Sequence, residues 1–185
     1  MYPRHLHNNR HIPDNVAAIP HESKQLVEVI LLHGELMHDI EATIHQLEKS
    51  RKAEEPPLID GEAADNYLLL RHIDTAVNQT VARCQAYLLL PSPYVHRIST
   101  DHVGRWEEKS IFLALPVDWP PHLVDPLRDA IHNYIVYRAT QLFLVMADEK
   151  AAEKADYMAS LYHGDINAHL NSRYGPTPIG PTPFG

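Results

Sequence analysis

The sequence carries one cysteine and seven glycines in 185 residues. Cys84 sits in an apolar helical pattern with Val81, Leu88 and Leu89. That setting excludes a disulfide framework and a Cys-based zinc ribbon, reads as a small buried hydrophobe, and points to a reducing compartment. Three of the glycines, Gly175, Gly180 and Gly185, fall in the C-terminal tail, which leaves little material for a phosphate-cradling loop. No Gly-x-Ser-x-Gly elbow and no His-Glu-x-x-His motif occurs. Positive charge is also short: 16 Lys and Arg face 24 Asp and Glu, a formal net charge of −8, and no stretch gathers the basic residues. A protein that grips nucleic acid over its surface is therefore not expected. No apolar run approaches the ~18 residues of a membrane span, and Met1-Tyr2-Pro3-Arg4-His5 lacks the apolar core of a signal peptide. The expectation is a soluble intracellular product without membrane contact.

Histidine and proline are plentiful instead, with 14 and 15 copies. His5, His7, His11 and His21 lie among Pro3, Pro13 and Pro20, where few apolar side chains are available, so residues 1–20 read as an extended arm. The other end, residues 174–185, carries a doubled Gly-Pro-Thr-Pro-apolar-Gly unit sharing Gly180. Such a tract is extended and polyproline-like, and it presents Ile179 and Phe184 as isolated apolar anchors.

Between the arms, residues 21–173 read as one mainly α domain with a four-helix core. From about Ser23 to Glu54, Leu26, Ile30, Met37, Ile40, Ile44 and Leu47 recur in steps of four and three, with His33 in the gap. That spacing predicts one long helix with a narrow seam, ended by Pro56-Pro57. A second helix is expected from about Glu62 to Leu90, forming an antiparallel hairpin with the first. Val95 and Ile98, the polar turn 100–104 and the run 110–115 predict a β-hairpin or ribbon over about 94–116. Pro116-Val117-Asp118-Trp119-Pro120-Pro121 makes an elbow, and Asp125-Pro126 is a helix start, with the carboxylate placed to cap. The helix that follows has a wide apolar face over Leu127 to Met146. The last, after Ala147-Asp148, carries Ala152, Ala155 and Ala159 at a spacing that allows close helix approach.

Three segments, Ile111-Phe112-Leu113-Ala114-Leu115-Pro116, Pro121 through Ile131, and Tyr134-Ile135-Val136-Tyr137-Arg138-Ala139, resemble the head-to-tail connector (adaptor, head-completion) proteins of tailed bacteriophages. The resemblance continues into the alanine-bearing helix and covers roughly Ile111 to Arg173. It implies a structural virion protein made in the host bacterial cytoplasm and placed in the neck. There it would form a homo-oligomeric ring, commonly twelvefold, between the portal protein and tail or tail-completion proteins, with DNA only as a passing occupant of the channel. The narrow seam, the arms and the negative charge agree in sense. The residues expected to touch neighbours are Leu26, Ile30, Met37, Ile40, Ile44, Phe112, Trp119, Ile179 and Phe184. The alternative is a cytoplasmic helical-bundle dimer with a regulatory or metal-binding role.

No chemistry is expected. Glu35-Leu36-Met37-His38 has the Glu-x-x-His spacing of di-iron bundles, and Glu41 and His45 continue along it, but no second copy of the motif exists. His38 and His45 lie off the seam and are expected to face water, while His33, in the seam, reads as a polar register device or a buried satisfied side chain rather than a ligand. His163 and His169 are six residues apart and share no helix face. Catalytic, cofactor and metal residues are accordingly all expected to be absent.

Overall fold

The computed structural model describes residues 24–49, 67–88, 94–98 and 106–173, with backbone alone for 94–98 and for 106–107. The arms, the Pro56-Pro57 stop, and the anchors Ile179 and Phe184 lie outside the described residues.

The elements are β1 (Lys24–Leu32), α1 (His33–Glu48), α2 (Tyr67–Arg83), β2 (Tyr94–Ile98), β3 (Trp106–Pro116), α3 (Val124–Leu144) and α4 (Glu149–Leu170). The chain is mainly helical with a small antiparallel sheet in the order β1-β3-β2. The expected ribbon is the β2–β3 pair, with a register shift between Arg97 and Ile98.

The first long helix is corrected. Its opening third is β1, which pairs with β3 from Lys24 opposite Pro116 to Leu32 opposite Glu108. The reason lies in a competing period: Val27, Val29 and Leu31 alternate, and two of the three are β-branched, so a strand buries all three where a helix would scatter them. Leu26 and Ile30, four apart and therefore neighbours on a helix, both fall on the opposite face of the strand, 54% and 39% exposed. The latter half of the seam survives in α1, where Leu36, Met37, Ile40 and Ile44 are buried. His33 is the first residue of that helix and so is no register device.

The helical hairpin of the first two helices is corrected as well. Both α1 and α2 pack on α3, which also meets β1 and lies along α4. The second helix stops at Arg83, followed by Cys84 and a 3-10 turn, Gln85–Tyr87, after which Leu88 bridges to Leu113 of β3. Being surrounded, α3 buries Leu127, Ala130, Ile131, Tyr134, Ile135, Val136, Ala139, Thr140 and Leu144, nearly its whole circumference. Asp125 does not cap it: the helix enters from a 3-10 turn, Pro121–Leu123, and Asp125 instead pairs with Arg128 at 3.0 Å. By contrast Asp148 does cap α4, its Oδ1 accepting from the Ala151 amide at 3.0 Å. Ala151, Ala152, Ala155 and Ala159 form the buried side of α4, and their small side chains let it close on α3.

The core is one cluster between the inner sheet face (Val27, Val29, Leu31, Ile111, Leu113, Leu115) and the helices. Trp119, in the elbow after β3, is fully buried; its indole N–H donates to the His169 carbonyl at 2.7 Å and ties the elbow to the end of α4.

Candidate assembly surface

Four of the residues expected to touch neighbours, Met37, Ile40, Ile44 and Trp119, are enclosed by the chain's own core, which leaves them unavailable to a partner. Their apolar character is explained by intrachain burial. Leu26 and Ile30 remain exposed, joined by Leu32, and Phe112 is half-buried on the same outer face of the sheet, opposite Glu28.

Below this face the end of β1, the first turns of α1 and the first turns of α3 enclose an open groove of about 820 Å³. Ile30 and Leu32 form its apolar wall, and Gly34, Glu35, His38, Asp39, Arg128, Asp129 and His132 complete it. His132 Nε2 meets Asp39 Oδ2 at 2.8 Å, a link between α3 and α1 across 93 positions of sequence that no local pattern announces. Arg128 is held by Asp125 at 3.0 Å and lies 3.9 Å from Asp129. The groove therefore carries an excess of carboxylates over cations. Among the described residues no group of three or more His, Cys, Asp or Glu is arranged to hold a metal ion.

A second surface lies on α4, beyond α3 as seen from the sheet. Tyr157 and Leu161, one turn apart, are 64% and 46% exposed, although α4 buries its alanines on the other side. Met146 and Val145 stand exposed in the turn before it. Soluble surfaces carry single exposed apolar residues without consequence, whereas aligned ones make a surface a candidate for association.

Several polar side chains serve as struts between the helices. Arg138 donates from Nε to Gln79 Oε1 at 2.8 Å on α2, and from Nη1 to Asp156 Oδ1 on α4 and to Gln141 Oε1, both at 3.0 Å. One turn earlier, the Tyr134 hydroxyl accepts from Arg83 Nε at 2.9 Å. The Tyr134 to Arg138 segment thus knits α2, α3 and α4, a role invisible before the helices are placed. Arg83 also donates to His163 Nε2 at 2.8 Å, and the Asn167 amide approaches the same nitrogen at 3.1 Å. A ring nitrogen facing two donors must be the acceptor, so His163 is neutral here. Burial first and the Arg83 charge second hold its pKa below the ordinary 6.5. His45 pairs with Glu48 at 2.9 Å, one turn on along α1. Burial raises the Cys84 thiol to about 11, against a lesser opposing pull from Arg83, which leaves it protonated and inert.

Comparison with known proteins adds no relative: no family model matches the chain, and neither a curated protein nor a solved structure does. No helix among the described residues is long and apolar enough to cross a membrane.

Proposed function

We propose that this protein is a structural component of a tailed-phage neck, assembling as a ring that joins portal and tail and lets DNA pass. The observation that carries the reading is the pair of unlike exposed faces, the apolar wall of β1 with its groove and the Tyr157–Leu161 side of α4, separated by α3. A twofold dimer needs one self-complementary patch, whereas a ring needs two different ones per subunit. The resemblance over Ile111 to Arg173 supports the same reading. So does the strut role of Tyr134 and Arg138, which stiffens the helical body without offering a reactive group. The arms at 1–20 and 174–185 serve as tethers to adjoining subunits or to the portal and tail-side partners, with Ile179 and Phe184 as anchors. The net charge of −8 keeps a channel wall from holding DNA. Such a protein works through shape and association, without catalysis or a cofactor.

The test is location. Particles from the phage that encodes the chain are labelled with an antibody to it and viewed by electron microscopy. Label confined to the head–tail junction is expected; label absent from particles, or spread over the capsid, overturns the reading in favour of a cytoplasmic role.

A further inference from the structure

We propose that the groove between β1, α1 and α3 receives the exposed stripe of α4 from a second copy of this chain. The inference rests on the ring reading above and names its two mating faces. The stripe runs Lys150, Lys154, Tyr157, Leu161, Gly164 and Ala168 in steps of four and three, all exposed, so these residues share one side of the helix. Two lysines lead it, two large apolar side chains stand in the middle, and two small residues follow.

The groove complements the stripe in charge and in chemistry. Ile30 and Leu32 offer an apolar wall to Tyr157 and Leu161, while Glu35, together with Asp39 and Asp129 beside their neighbours His132 and Arg128, gives the groove the carboxylate excess that suits the lysine end. Glu153 and Asp165 sit on the shoulders of the stripe, outside its central line. A groove of about 820 Å³ accommodates a row of side chains from one helix face.

The two described glycines supply independent support. Gly34 lines the groove and Gly164 lies on the stripe, and in neither case would an added Cβ meet, among the described residues, any atom beyond its own helix backbone and chain neighbours within 4 Å. Neither has the positive φ that would require glycine. Gly164 lies inside α4, where glycine is destabilising relative to alanine, and Gly34 lies in the first turn of α1; at both positions the bare backbone leaves room for a neighbour to come close. Both stand where the second copy would come close.

Because groove and stripe are different surfaces, each bound copy still offers one of each, and association continues until the ring closes. This gives a complementation test that an isologous dimer fails. Sedimentation of the full chain over rising concentration is expected to show growth beyond a dimer. Gly164→Leu should abolish it by filling the stripe's gap while melting at or above the parent's temperature, since leucine is the better helix former. Ile30→Asp should abolish it from the groove side. An equal mixture of the two variants should form a 1:1 pair and stop, because Gly164→Leu keeps the groove and Ile30→Asp keeps the stripe. An oxidised Ile30→Cys/Leu161→Cys chain should give a ladder of covalent oligomers, with buried Cys84 standing aside. A parent that stays monomeric, a Gly164→Leu chain that associates like the parent, or a mixture that fails to pair overturns the inference. Should the mixture fail while antibody label still marks the neck, the pairing of faces is wrong and the neck reading stands; the reverse result removes the neck and keeps the pairing.

Discussion

Replacing Ile30 and Ile40 by Asp, one at a time, separates the strand-then-helix start of this chain from the continuous helix its spacing suggests. In one long helix both belong to the same seam and both substitutions would be comparably damaging. In the structure Ile40 is fully buried on α1, while Ile30 is 39% exposed on the outer face of β1. At Ile40 the change forfeits about 2–3 kcal/mol of apolar transfer and places an unpaired carboxylate in the core, for a total of about 4–5 kcal/mol. Against the ~5–15 kcal/mol that holds a typical domain, this is a severe loss. At Ile30 the carboxylate reaches water, and the cost is the weaker strand preference of Asp, under about 1 kcal/mol. Urea unfolding followed by circular dichroism at low protein concentration reads the difference. With a slope of about 2 kcal/mol per molar urea, Ile40→Asp should move the midpoint down by about 2 M and Ile30→Asp by less than about 0.5 M. Equal shifts would refute the strand assignment and return Ile30 to a buried seam.

Three further outcomes are expected. Thr140 is fully buried on α3, and its hydroxyl has no hydrogen-bond partner among the described residues, so Thr140→Val should stabilise by up to about 1 kcal/mol in the same assay; a loss of more than that would reveal a partner for the hydroxyl. The folded chain holds His163 and, through burial and then Arg71, His72 below their ordinary 6.5, so the unfolded chain takes up protons first as the pH drops. Stability should be level above about pH 6.5 and fall below it, flattening once the folded pKa values are passed, and His163→Gln should make that decline shallower; an unchanged slope would contradict the neutral acceptor role. Deleting Pro176 to Gly185 should leave the melting temperature of the monomer nearly unchanged and weaken assembly, because Ile179 and Phe184 contribute on the order of 2–5 kcal/mol before ordering costs; a truncated monomer that melts much earlier and assembles as well as the parent would place the tail on its own domain.

Much of the body was legible because the signals were local and redundant. The alanine face of α4, the wide apolar surround of α3 and the antiparallel β2–β3 pair follow from periodicity, proline and turn residues. The start of the domain was not, since Lys24–Leu32 satisfies two periods at once: Leu26 and Ile30 fit a helix, Val27, Val29 and Leu31 fit a strand, and only the presence of β3 as a partner decides. Met37, Ile40, Ile44 and Trp119 carry no mark in the sequence that tells a partner's contact from the chain's own core, and the structure buries all four. The groove could not be foreseen, because its walls come from β1, α1 and α3, and His132 meets Asp39 across 93 positions. Gly34 and Gly164 carry a signal that composition alone hides: a glycine in a helix with no described residue beyond its own helix within 4 Å of where a Cβ would stand.

The central claim, a ring at one site of a phage particle, is tested most directly by the number of copies per particle. Quantitative mass spectrometry of purified particles, scaled to the portal protein, should give a small fixed ratio, about a dozen copies set by ring symmetry. Absence from the particle, or a copy number in proportion to the capsid shell, would contradict it.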